Sequence, residues 1–287
     1  MVNPVEPAAE HAADESAVEV DVDGYRESRA EFRRDWVAAE EPLEIQLGRV
    51  PLAVVMRTPG HDEDLVRGLL LGERVIADPD DIASVRHCTR VSEAAAEDNV
   101  VRVRLRAGLE VDFERLRRNL FASASCGVCG KASIENALAV APPLEDPARF
   151  EPELFHRLEP RLREAQATFA RTGGLHAAAL FRGDGELLVA REDVGRHNAV
   201  DKLIGERFLE DELPLSESVL MLSGRASFEL LQKALVARIP VVAAVGAPSS
   251  LAVELAESFN ITLCGFVKAD SLNVYTGPER VAAVSSK

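Results

Sequence analysis

The sequence has no charge-free apolar stretch approaching the roughly 20 residues that a membrane-spanning helix needs, and no basic segment followed by an apolar one at its start. Those two absences predict a cytoplasmic chain with no membrane partner. Cysteine is scarce as well: Cys88, Cys126, Cys129 and Cys264 are the four in 287 residues. Four are too few for a disulfide framework at this length. In a reducing compartment a close pair such as Cys126 and Cys129 reads as catalytic or metal-binding. Positive charge is short, with a formal net charge of −15 that would repel a nucleic-acid duplex or an acidic leaflet. Nucleic acid is therefore not an expected partner. Seven of those charges lie in the first 24 residues, which hold no Lys or Arg, leaving −8 for the remainder. Lysine is limited to Lys131, Lys202, Lys233, Lys268 and Lys287. Neither G-x-x-x-x-G-K-[ST] nor G-x-G-x-x-G occurs, which argues against P-loop hydrolysis and ordinary NAD binding.

What is present suffices for one large domain and one small one, since 47% of the residues are apolar. Residues 1 to about 40 are rich in Ala, Glu and Asp with little apolar periodicity, and predict an acidic, largely disordered leader. From 41 to 120 the pattern predicts a small, hairpin-rich α+β domain. Leu43 to Leu47 and Pro51 to Arg57 form one hairpin, Asp62 to Ile76 a helix weakened by Gly68 and Gly72, and Val101 to Leu105 with Leu109 to Phe113 a second hairpin bearing a cationic face. From 121 to 287 an α/β domain follows the cysteine pair: a long helix Pro152 to Arg171, strands His176 to Phe181 and Leu187 to Glu192, and a helix from Arg196. Next come strand Ser218 to Leu222, helix Ala226 to Arg238, strand Val241 to Val245, helix Ser249 to Phe259, and strands Ile261 to Val267 and Leu272 to Thr276. Such alternation implies a mainly parallel sheet covered on both faces, with a ligand at the strands' carboxyl ends.

The stretch Ser123-Ala124-Ser125-Cys126-Gly127-Val128-Cys129-Gly130-Lys131 suits a polar loop, and Ser133 to Leu138 behind it suits a helix. A helix N-terminus and Lys131 would favour the thiolate, the form that attacks sulfur or carries it as a persulfide. Other readings compete. Structural zinc needs further ligands, for which only the scattered His87, Cys88 and Cys264 are plausible. Dithiol–disulfide exchange of the thioredoxin kind expects the motif near the start of the fold. His61-Asp62-Glu63 spells the H-x-E of a zinc deaminase, but no proline precedes Cys126 and the spacing is poor. Phosphate-compatible turns recur at predicted strand ends: Asp193 to His197, Ser223-Gly224-Arg225-Ala226-Ser227, and Ala247-Pro248-Ser249-Ser250. Each has a bland alternative, with glycines for turns, Asp193 as a helix cap, and His176 or His197 as a hydrogen-bonded structural histidine.

In combination, Ser125 to Lys131, Thr172-Gly173-Gly174-Leu175-His176, Arg191 to Lys202 and Ser223-Gly224-Arg225 resemble the formate dehydrogenase accessory sulfurtransferase family, over roughly Glu44 to Gly277. The resemblance implies a three-layer, cytidine-deaminase-like C-terminal domain without the deaminase zinc, a small N-terminal domain and a homodimer. It implies a sulfur carrier that takes sulfur from a cysteine desulfurase and passes it to the molybdenum bis(molybdopterin guanine dinucleotide) cofactor for formate dehydrogenase. Cys126 would carry the persulfide and Cys129 would assist or resolve it. The cofactor would lie against Phe266-Val267-Lys268-Ala269-Asp270-Ser271, with His197, Ser223 and Arg225 at the strand ends, and GDP would mimic it. The rival from another class is a chaperone that only binds and shields the cofactor.

Overall fold

The computed structural model describes residues 15–88, 98–114, 116, 141–145 and 147–281. Its first element corrects the expectation of a disordered leader up to about residue 40: β1 (Ala17–Arg26) and β2 (Arg29–Ala38) form an antiparallel hairpin. Cross-strand chemistry explains it. Arg34 of β2 reaches Glu19 and Asp21 of β1 at 3.3 and 3.8 Å, and Val18 faces Val37, so the acidic strand that cannot order alone is matched by a basic one. Glu27 and Ser28 take φ of 49° and 66° in the turn, the left-handed pair that a two-residue hairpin loop demands.

The next sheet has strand order β4-β3-β6-β5. As expected, β3 (Glu41–Leu47) and β4 (Val50–Arg57) pair antiparallel across a turn at Gly48. The second expected hairpin does not form. Instead β6 (Val100–Leu105) pairs parallel with β3 and antiparallel with β5 (Ile82–His87), while residues 109–113 lie outside any strand. Two arginines of this stretch, Arg102 in β6 and Arg106 just past it, are drawn into local bonds. Arg102 donates to Gln46 Oε1, and Arg106 donates to Asp81 Oδ1 at 2.8 Å while its N–H bonds Asp81 O, which ties the end of β6 to the turn before β5.

The second half contains α2 (Pro152–Ala165), α3 (Ala167–Thr172), β7 (His176–Arg182), β8 (Leu187–Asp193) and α4 (Arg196–Leu209). It continues with β9 (Ser218–Leu222), α5 (Phe228–Val236), β10 (Val241–Ala244), α6 (Ser250–Ser258), β11 (Thr262–Gly265) and β12 (Asn273–Thr276). The strands join in the order β12-β11-β10-β9-β7-β8. The parallel pairs are β9 with β10 and β10 with β11, while β7 and β12 run against their neighbours, so the sheet is mixed rather than mainly parallel. A tight turn near Gly185, with no crossover helix, joins β7 to β8 and forces them antiparallel. Leu180, Leu220, Val242 and Leu263 face α4, α5 and α6, whereas Phe181, Met221 and Cys264 face Phe155 and Leu158 of α2, which gives three layers.

The single long helix predicted from Pro152 to Arg171 is broken at Gln166, whose φ of −89° and ψ of 68° separate α2 from α3. Gly68, which weakens α1 (Asp62–Gly72) by propensity, has a packing purpose. A Cβ on it would stand 2.0 Å from Asp201 O, and one on Gly205 would stand 1.9 Å from Asp64 O. The two helices touch backbone to backbone, and only glycine fits at either point.

Candidate functional site

Because β8 is antiparallel to β7 and β7 to β9, β8 points the same way as β9, β10 and β11. Their carboxyl ends therefore share one edge, and the three turns singled out in the sequence meet there. The ladder continues past the strands: Gly246 N–H donates to Gly224 O at 2.9 Å, Ala226 N–H to Ala247 O at 3.2 Å, and Phe266 N–H to Gly246 O at 3.2 Å. A Cβ at Gly246 would come within 2.9 Å of Gly224 O, so these loops lie too close for any side chain between them.

Much of the Arg191 to Lys202 motif holds the fold. The Asp193 carboxylate is fully buried and accepts from Lys202 Nζ (2.7 Å), Gly195 N–H (2.7 Å), Asn198 Nδ2 (2.8 Å) and Thr58 N–H (3.1 Å). Lys202, itself 1% exposed, also donates to Thr58 O at 2.8 Å, and Asn198 donates to Met56 O. This clasp joins the end of β8 and α4 to the strand that leaves the smaller sheet. Asp201 beside it accepts from Lys233 at 2.6 Å, and burial raises its pKa against the pull of that lysine.

At the edge itself His197 Nε2 lies 3.4 Å from Ser227 Oγ and 3.7 Å from Glu229 Oε2. The bond from His197 holds the Glu229 carboxyl down at about 2. Arg225 is exposed and, among the described residues, bonds to no carboxylate; Glu229, the structural partner the sequence offers it, is engaged by His197. Ser223 Oγ accepts from Ala177 N–H at 2.8 Å. His176, opposite Gly224, has its pKa lowered first by burial and then by Arg196 and His197, which leaves the ring neutral near pH 7.

Phe266 turns away from β11 with φ of 52° and leaves its ring exposed, Val267 is buried in the α2-side core, and Lys268, Ala269, Asp270 and Ser271 are exposed. Lys268 N–H bonds Ser271 O at 2.8 Å and closes the segment into a turn. On the α2 side of the same edge lies a cleft of about 290 Å³ whose wall is the Gly173-Gly174-Leu175-His176 stretch and whose floor is Ser223 and Val245.

Cys126 and Cys129, with the helix expected behind them, lie outside the described residues. The competing zinc ligands do not converge on a site of their own. Cys264 is a core thiol of β11 whose pKa burial pushes up to about 12, and His87 lies 3.6 Å from Asp62. Among the described residues no group of three or more His, Cys, Asp and Glu could hold a metal. His61-Asp62-Glu63 serves the fold, for Asp62 pairs with the buried Arg57 and Glu63 with Arg67. Sequence reasoning offered Glu229 only as an ion-pair partner for Arg225, and it missed Thr58 and Gln166. The last was detectable: it continues the buried stripe Leu154, Leu158, Leu162 by one more turn, so a polar residue falls on an apolar position.

Fold and site together define a three-layer α/β protein that gathers polar and cationic groups, with free backbone turns, at the carboxyl ends of its strands. The FdhD/NarQ family model matches residues 38–282, and the chain belongs to that family. It is 51% identical over 261 residues to the sulfur carrier protein FdhD of Streptomyces coelicolor, covering 90% of this chain and 93% of that one. It is equally 51% identical over 255 residues to the sulfur carrier protein FdhD of Mycobacterium tuberculosis, covering 87% and 92%. Among solved structures, one described as a formate dehydrogenase accessory protein from Desulfotalea psychrophila has the same fold, with a TM-score of 0.73 at 22% identity over 93% of this chain and 99% of that chain. Among the described residues no helix is long and apolar enough to cross a membrane.

Proposed function

We propose that this chain is a sulfur carrier which accepts sulfur from a cysteine desulfurase on Cys126 and delivers it to a molybdenum bis(molybdopterin guanine dinucleotide) substrate destined for formate dehydrogenase, acting in the cytoplasm as a homodimer with a cytidine-deaminase-like C-terminal domain. The observation that carries the reading is 51% identity, over nine-tenths of the chain, to a sulfur carrier protein. The Cys126 thiolate attacks the terminal sulfur of the donor's persulfide; the donor S–S bond breaks, its cysteine leaves as thiolate, and Cys126 holds the new persulfide. Cys129 then attacks Cys126 Sγ. A Cys126–Cys129 disulfide forms, and the terminal sulfur leaves with the electron pair as hydrosulfide, so two thiol sulfurs are oxidised as one sulfur is reduced. The strand-end edge retains the substrate while this happens, with Arg225, Ser223 and His197 toward its phosphates and the turn from Phe266 to Ser271 beside them.

Incubation with a cysteine desulfurase and cysteine, followed by mass spectrometry, should show one added sulfur on the peptide containing Cys126. A chain that binds GDP but never gains that sulfur is a shielding chaperone, and the carrier reading fails.

Arg225→Lys keeps the charge and removes the planar fork that bonds a phosphate with two N–H groups. Affinity for GDP is expected to fall about tenfold or more, on the order of the 1.5–3 kcal/mol of a charged hydrogen bond, at unchanged melting temperature. Unchanged affinity in calorimetry removes Arg225 from the site.

A further inference from the structure

A strand that ends a sheet shows a row of backbone N–H and C=O groups, and proteins keep such rows from pairing by charge, shortness or cover. Among the described residues β1, β2, β4, β5, β8 and β12 end a sheet. Most of them carry one of those devices. β1 is acidic and β2 basic, β5 has Arg86, β8 has Arg191 and Glu192, and β12 is four residues long. β4 is the exception. It carries no charge from Val50 to Met56, and Val54, Met56 and Val50 stand 65%, 48% and 37% exposed. Among the described residues no backbone group outside β3 bonds to this stretch, and Asn198 takes only Met56 O at its end. Pro51, near the start of the strand, is the one position that cannot donate, so Leu52 to Val55 are able to pair.

The chemistry of the strand fits a second copy of itself. Reversed and set antiparallel about a twofold axis, Val50 to Met56 meets the same uncharged run, and no like charges come face to face. The same operation on β1 or β2 would set acid against acid or arginine against arginine. The ends match as well. Arg49, exposed in the turn before β4, makes no ion pair among the described residues, while Glu40 and Glu41 flank the far end, where Glu41 is the register partner of Arg57. Reversal carries Arg49 of each copy toward the glutamate end of the other, so the attraction is made twice. On the face of the sheet turned away from the core, Gln46 Nε2 donates to Glu44 and Arg102 donates to Gln46, which closes those charges within each copy.

Resting on the homodimer reading above, we propose that β4 is the dimer seam: it pairs antiparallel with β4 of a second copy and joins two four-stranded sheets into one continuous sheet. Thr58, directly after the strand, is the residue clasped by Asp193 and Lys202, so the seam is tied to the strand-end edge of each copy.

Sedimentation equilibrium of the full chain is compared between wild type and Val54→Lys, which sets an ammonium group at the seam in each copy. Val54 is exposed, so the variant should keep the wild-type circular dichroism spectrum; Arg49→Glu, in an exposed turn, repeats the test should it not. The dissociation constant of the dimer is expected to rise about tenfold or more in either variant. Amide exchange in the stretch from Leu52 to Val55 should slow as the wild-type concentration rises and stay fast in Val54→Lys. A dimer equally tight in wild type and variant, or exchange in this stretch that does not change with concentration, overturns the seam and leaves the homodimer reading standing. A wild type that stays monomeric overturns both.

Discussion

Cys126→Ala is expected to abolish activation of a client formate dehydrogenase by this chain and to leave the melting temperature unchanged. The stretch Ser123 to Lys131 is glycine-flanked and polar, reads as a loop, and contributes no apolar side chain larger than Val128, so trimming one thiol there should stay within about 0.5 kcal/mol. The chemical loss is total. Alanine has no lone pair with which to take the sulfur, and without the first persulfide the attack by Cys129 has nothing to release. The comparison is made by activating formate dehydrogenase in extracts that lack the endogenous carrier and adding back wild type, Cys126→Ala or Cys129→Ala. Wild-type activation by Cys126→Ala removes this cysteine as carrier. Cys129→Ala is expected to impair release, with the added sulfur accumulating on Cys126.

Lys202→Met is expected to cost about 3–5 kcal/mol of stability, the penalty for leaving a buried charge without its partner. Asp193 has no exposure to water, so on loss of the ammonium at 2.7 Å it must stay charged on three remaining donors or take up a proton. Thr58 O loses its donor in the same step. Methionine fills nearly the same volume, so the loss is electrostatic rather than a cavity. The double variant Lys202→Met with Asp193→Asn removes the orphaned charge and should recover much of the loss. Denaturant unfolding of the two variants decides the point: a single variant as stable as wild type would mean that the clasp does not join the two sheets.

The sequence alone was enough to read every strand and helix from His176 onward, because each is a buried apolar run or a periodic stripe closed by its own turn residues. Where pairing depended on a distant segment it misled. The acidic β1 reads as disordered until the arginines of β2 face it, and β6 reads as half of a local hairpin because nothing in residues 100–113 reveals that β3 and β5 flank it. The site divides along the same line. Ser223, Arg225 and His197 were legible as polar groups at strand-to-helix junctions, and the structure brings them to one edge. The roles of Asp193, Asn198 and Lys202 were not, since a motif looks the same whether it faces a ligand or Thr58.

What the sequence determined by itself is the family, the cysteine pair and the order of elements, all of which depend on residue identity at short range. Tertiary structure decided the rest: that the sheet is mixed, that Gly68 and Gly205 are the point where two helices meet, and that Asp193 and Lys202 form a buried pair held against Thr58. The physical reason is common to all three. Burial, backbone approach and hydrogen-bond satisfaction are properties of surroundings assembled from residues far apart in the chain, and no local pattern encodes them.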